Sequence, residues 1–239
     1  MTKQDKIKHT QACIAADWAC AEDSFTKSEN IIFETNKSFF EIATFGYNAV
    51  IRADKHIVDW CINNFAKTPA EEIMDGENLY LIEAKMREHG KQLAGEHINF
   101  LHLHPEITVP KPTGFTFELY EKPRITELYA DNRFENALGS DATGAELAIV
   151  AKKENDIAAI AAVDSHHHGL WQMGIDTLAA HRGQGLAAYL VKEMAIESER
   201  RNQVPFYATW SANIASMRVA LGAGFRPVWT RYYAEEAPQ

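Results

Sequence analysis

The sequence predicts an α+β protein: a mixed sheet with flanking helices, preceded by a smaller α/β or helical N-terminal domain. Three runs carry that prediction. From Trp171 to Glu199 an apolar strand, WQMGIDTL, breaks into the turn AAHRGQGLA and continues as an amphipathic helix. From Val204 to Glu236 the pattern reads as strand, helix and strand. Between 146 and 165, ELAIVAKK and DIAAIAAVDS flank a short Glu-Asn-Asp turn and read as a hairpin. An antiparallel meander leading into parallel strands joined by helices is α+β in character.

At 239 residues the chain exceeds one typical domain. TKQDKIKHTQACIAADWACAE opens like a helix, SFFEIATFGYNAVIRA reads as two strands around Gly46, Tyr47 and Asn48, and ADKHIVDWCINNFAK and ENLYLIEAKMREHGKQLA are both amphipathic. Pro105, Pro110 and Pro112 then punctuate the stretch expected to be a linker, which sets the expected domains at 1–110 and 111–239. In the second, GFTFELY alternates like a strand and Ile125 to Leu138 is expected to form a helix. Leu186, Tyr189, Leu190, Met194 and Ile196 follow helical spacing, with Lys192, Glu193, Glu197, Glu199 and Arg200 expected on the exposed face. Pro205 opens a strand from Phe206 to Trp210, Ser211 or Asn213 can cap the next helix, and Gly222 or Gly224 can end it.

Composition narrows the setting. With 46% hydrophobic residues, no apolar run long enough to span a bilayer and no signal-peptide core in MTKQDKIKHTQ, a cytoplasmic protein is expected. Cys13, Cys20 and Cys61 cannot form a fully paired disulfide set, which suits a reducing compartment. A net charge of −9 argues against nonspecific nucleic-acid binding, which needs a basic surface. It suits a cationic amine partner, though ordinary solubility explains it equally.

The turn after WQMGIDTL is the candidate site. Gly183 and Gly185 supply side-chain-free backbone, so the amides opening the helix can close around an anion, aided by the helix dipole. A simple tight turn is the competing reading. The nucleotide-loop pattern with its lysine is absent, and the Rossmann fingerprint fails because Gly183-Gln184-Gly185 is followed by Ala188 and no acidic ribose-binding residue sits at the expected distance after a second strand.

Arg182, Gly185 and Ala187 fit Arg-x-x-Gly-x-Gly/Ala, and here the chain resembles the GNAT superfamily of acetyl-CoA-dependent N-acetyltransferases. The block from Asn213 and Ser216 to Gly224-Phe225 resembles that family's C-terminal motif. The resemblance covers about residues 113 to 235 and is specific in the C-terminal half. It implies acetyl-CoA as cosubstrate, held by Arg182, Gly183, Gln184, Gly185, Leu186 and Ala187 at the pyrophosphate. It also implies backbone groups of Gly174, Ile175 and Asp176 along the pantetheine arm, with Asn213 and Ser216 beside it. The implied partner is a small-molecule or peptide amine acceptor, with neither nucleic acid nor membrane, and a homodimer is left open.

Acyl transfer needs a neutral amine, a donor for the oxyanion and help for the departing thiolate. Two side chains that the family often uses for this are missing: Ala220 stands where a tyrosine is often found, and Ala208 where some members place a glutamate. The catalytic residues are therefore unknown from sequence. Asp176, Tyr207, Ser211, Tyr232 and Tyr233 are candidates by element, each with an ordinary structural reading. A noncatalytic acyl-CoA sensor or partner-binding module remains the alternative, as does a donor other than acetyl. Of ten histidines, His97, His102 and His104 surround an apolar segment and His166, His167 and His168 fall in an expected turn. Solvated or half-buried imidazoles are expected there rather than metal ligands, since no cysteine pair accompanies them. A proton-shuttling role for one of His166 to His168 is the second reading.

Overall fold

The computed structural model describes residues 1–167 and 169–238, the side chain of His166 excepted. The chain forms two compact units: a larger one of Met1–Cys13 with Phe100–Pro227, and a smaller one of Ile14–Asn99 with Val228–Gln239. The first helix, α1 (Lys3–Trp18), contributes to both.

In the smaller unit, β1 (Ile31–Glu34), β2 (Phe40–Thr44) and β3 (Ala49–Ala53) form a sheet in which β1 runs parallel and β2 antiparallel to β3. The expected hairpin around Gly46 is β2–β3. Helices α2 (Val58–Phe65), α3 (Ala70–Ile73) and α4 (Gly76–Arg87) follow, then the short β4 (Lys91–Leu93). Phe40, Ile42 and Ile51 of the sheet pack with Phe65, Ile73, Ile82 and Met86 of the helices, so this unit is α/β rather than helical. Glu41 is buried, and its carboxylate is held by the Arg52 guanidinium across the strand pair and by Arg231 at 3.4 Å.

The chain enters the larger unit within β5 (His97–His102). β6 (Thr116–Glu121) pairs antiparallel with β7 (Ala145–Lys153), β7 with β8 (Asp156–His167) and β8 with β9 (Leu170–Thr177). Between β6 and β7 the expected helix from 125 to 138 is absent as a single element. The chain instead forms 3-10 turns at Arg124–Ala130 and Asn132–Phe134, and α5 covers only Glu135–Leu138. The break has a local cause. The Asp131 side chain accepts from the Arg133 backbone N–H at 3.1 Å and binds the Arg133 guanidinium, offering the backbone an alternative to a continuous helix.

After β9 come α6 (Leu186–Arg200), β10 (Val204–Trp210), α7 (Ile214–Gly222) and β11 (Phe225–Glu236). β10 lies parallel to β9. β7 is buried along nearly its whole length, as a strand covered on both faces must be. Ala148 and Val150 pack with Ile125, Leu128 and Phe134, and α6 lies against β7, β8 and β9 with Leu186, Leu190, Val191 and Met194 buried. From Val228 onward, β11 pairs with β2 and β4 in the smaller unit. The units therefore interleave in sequence, where a single cut between 110 and 111 is the sequence expectation. Among the described residues no helix is long and apolar enough to cross a membrane.

Candidate functional site: a parted strand pair and a glycine turn

The site begins where two parallel strands part. β9 pairs with β10 from Leu170–Val204 to Met173–Tyr207 and no further, whereas its pairing with β8 continues to Thr177 opposite Ala159. Gly174, Ile175, Asp176 and Thr177 thus have one edge satisfied and the other open, a gap of about 13 Å at the usual rise per residue. An extended chain with amide groups fits such an edge.

At the end of β9 the backbone turns through a 3-10 segment, Ala179–His181, into an extended Arg182. Gly183 has φ +75° and Gly185 φ +81°, left-handed values that glycine adopts without strain. Gly185 caps α6 with no side chain of its own, and its carbonyl accepts from Tyr189 N at 3.1 Å to close the first helical turn. The amides opening α6 have no acceptor within the helix. Gly183, Gln184 and Gly185 are exposed, Ala187 is half-buried and Leu186 anchors the helix in the core. Arg182 Nε donates to the Thr177 carbonyl at 3.1 Å, which ties the turn back to the open strand.

Two buried polar atoms mark the same place. Thr177 Oγ1 and His181 Nδ1 are shielded from solvent and have no hydrogen-bond partner. The open edge and the amide-lined turn fit an acyl-CoA: amides along its arm, anionic oxygens at the helix start.

Gly174 is a glycine because α5 lies on it: a Cβ there would stand 2.4 Å from the Asn136 carbonyl oxygen and 2.6 Å from that of Ala137. The Asp176 carboxylate accepts from Asn136 Nδ2 and from Ala137 N, both at 2.9 Å, so its two oxygens tether α5. Beside that tether, Tyr129, Asp131, Phe134, Glu135, Asn136 and Ser140 line a cavity of about 520 Å³. Asn213, not Ser211, caps α7, with Oδ1 accepting from Ser216 N at 3.1 Å. The Ser216 and Tyr207 hydroxyls lie 2.7 Å apart, and burial pushes the Tyr207 phenol above its ordinary pKa. Ala220 is fully buried and Ala208 half-buried. Tyr232 and Tyr233 fall in the smaller unit, paired with Ile42 and Glu41, and burial pushes Tyr232 up to about 12.

The outer face of α6 differs from expectation. Lys192 is buried, with Nζ donating to the Pro105 carbonyl at 2.8 Å and lying 3.1 Å from His102 Nε2. His102 Nδ1 is 2.7 Å from Glu199 Oε1, which also receives Lys6 Nζ at 2.6 Å. An ammonium can only donate, so His102 is neutral, with its hydrogen on Nδ1 toward Glu199. The sequence places Lys192 and Glu199 on an exposed face and His102 beside an apolar segment, so this buried network was not legible in it. His104 pairs with Glu106 at 2.6 Å, and His97 belongs to the smaller unit. His167 Nε2 is 3.2 Å from Gln172 Oε1. His168 and the side chain of His166 lie outside the described residues, so the shuttle reading has no placement for them. Among the described residues no group of three or more His, Cys, Asp or Glu could hold a metal ion.

No protein-family model matches the chain, and no curated protein does. Solved structures do. A GCN5-related N-acetyltransferase from Kribbella flavida superposes with a TM-score of 0.54 at 16% identity, covering 100% of this chain and 97% of that one. A GCN5-related N-acetyltransferase-like protein from Streptococcus suis gives 0.49 at 14% identity over 70% of this chain and 75% of its own. A GNAT-family acetyltransferase structure from Novosphingobium aromaticivorans gives 0.46 at 19% identity over 63% and 69%. The Kribbella superposition defines the class of fold: the chain has the mixed α+β GNAT fold.

Proposed function

We propose that the protein is an acetyl-CoA-dependent N-acetyltransferase acting on a small-molecule or peptide amine in the cytoplasm. The observation that carries the reading is the parting of β9 from β10 beside a glycine turn that opens α6. In this reading residues 182–187 hold the pyrophosphate, the open edge of Gly174, Ile175 and Asp176 pairs with the pantetheine arm, and Asn213 and Ser216 flank it. Acetyl-CoA brings the thioester that the amine attacks. The chain's own part is to hold both reactants in contact, an effect worth ~7 to 11 kcal/mol in favourable intramolecular cases, which tolerates Ala208 and Ala220 where acid and base are often found.

Acetyl-CoA at a hundred times its dissociation constant stabilises a fold by about 2.7 kcal/mol. A clear rise in melting temperature is expected for the wild-type chain and none for Gly185→Glu, which sets a carboxylate in the turn. Equal shifts in the two proteins would remove the turn from the site. The alanines at 208 and 220 favour a second reading, a noncatalytic acyl-CoA sensor. Acetyl turnover across polyamines, amino acids, aminoglycosides and peptide N-termini separates the two: binding without any turnover selects the sensor.

A further inference from the structure

We propose that the Tyr207–Ser216 hydroxyl pair, standing where β9 and β10 part, is the group that meets the departing thiolate of the coenzyme. The inference rests on the acetyltransferase reading and adds a named donor to it.

Tyr207 belongs to the last residue pair before the strands separate, so its backbone marks the closed end of the gap. A linear occupant that enters from the glycine turn runs along Gly174–Thr177 and must end there. The Tyr207 ring is fixed: it is 2% exposed and lies edge-on to Phe100 at 6.5 Å, with Phe225 at 6.1 Å. Its hydroxyl reaches Ser216 Oγ at 2.7 Å. Ser216 is half-buried and is itself positioned through its backbone N–H, which the Asn213 cap holds. When the phenol donates to Ser216 Oγ, the serine hydrogen is left to point elsewhere. A buried donor thus feeds a half-exposed one on the first turn of α7. Ala220 lies four residues further on, on the same helix face.

The remaining groups around the phenol support a donor rather than an acid. Burial raises its pKa most, against a lowering by the Ser216 hydrogen bond, and the Asp176 carboxylate on β9 raises it further; Phe100 and Phe225 carry no charge. The pair therefore stays protonated at neutral pH. In the transfer, the amine nitrogen bonds to the acetyl carbon, the carbon–sulfur bond breaks and the sulfur keeps the electron pair. The amine proton passes to solvent. The thiolate is met by the Ser216 hydroxyl, polarised by Tyr207, and leaves as the anion or after taking a proton from solvent.

The test is the ionisation of the thiol of bound coenzyme A, followed by the ultraviolet absorbance of the thiolate against pH. A hydrogen bond to the anion favours it, so wild type should bind coenzyme A with a thiol ionisation constant about ten- to a hundredfold larger than Ser216→Ala does. Tyr207→Phe, which keeps the buried ring, should lose a smaller part of the same effect. In turnover both variants should lose kcat by a larger factor than any rise in the KM for acetyl-CoA, and the double variant should be no worse than Ser216→Ala. Coenzyme A bound by all three proteins with the same thiol titration overturns the proposal and leaves the acetyltransferase reading standing. No coenzyme A binding by wild type overturns both.

Discussion

At the scale of single residues, the same side chains carry both architecture and site. Asn213 resembles a coenzyme contact by motif, yet its Oδ1 is already the cap of α7. Asn213→Ala should therefore destabilise the protein by about 1 kcal/mol in denaturant unfolding, besides weakening acetyl-CoA binding. An unchanged unfolding midpoint would show that the cap carries no weight. Gly174 is the sharper case, because its reason is contact rather than torsion. Gly174→Ala would press a methyl against two carbonyl oxygens of α5, and overpacking of that kind costs about 1 to 3 kcal/mol. Denaturant unfolding that matches wild type would mean that α5 gives way freely.

At the scale of elements, Asp176 joins an open strand to a short helix. Four residues form no stable helix alone, so α5 depends on the Asn136 and Ala137 hydrogen bonds to that carboxylate. Asp176→Ala should lower the local opening free energy of 135–138 by about 1 to 2 kcal/mol, seen as faster amide hydrogen exchange at Ala137. Exchange at the wild-type rate would show that packing alone holds α5. Elements set by local chemistry were legible in the sequence. α6 announced itself through Gly183 and Gly185 followed by helical spacing, and the β7–β8 hairpin through two apolar runs around a short turn. The 125–138 segment misled because Leu128, Phe134 and Leu138 are buried in the core without one continuous helix beneath them. β1 went unread because IIFE becomes a strand only by pairing with β3. The glycine turn of the site was legible for the same local reason as α6, whereas the unpaired edge of β9, the orphaned Thr177 hydroxyl and the Tyr207–Ser216 contact exist only after folding.

At the scale of the whole molecule, contacts distant in sequence set how stability answers to pH. Lys6 and Glu199 meet 193 residues apart, and His102 lies between Glu199 and Lys192 in the interior of the larger unit. Burial pushes His102 below its usual value near 6.5, with Lys192 and Lys6 adding to the shift and Glu199 opposing it. The sign follows from proton counting. Below pH 6.5 the unfolded chain protonates this imidazole while the folded chain still resists, so stability is full above that pH and is lost as pH falls toward the folded value. Protonation would also turn the Nε2 acceptor into a donor facing the Lys192 ammonium. Glu199 acts in the same direction lower down: burial alone would raise its carboxyl, but the hydrogen bonds and charges of His102 and Lys6 together hold it below the ordinary range, so its contribution fades below about pH 4.5. Denaturant unfolding of wild type between about pH 7 and pH 5 should therefore fall with a slope approaching, and not exceeding, ~1.4 kcal/mol per pH unit from this one site. His102→Gln keeps a donor and an acceptor but cannot take the proton, so it should begin less stable at pH 7 and lose the His102 part of that slope. A variant that retains the wild-type slope would place the titrating group elsewhere and leave the Lys6–Glu199–His102–Lys192 network without a role in acid sensitivity.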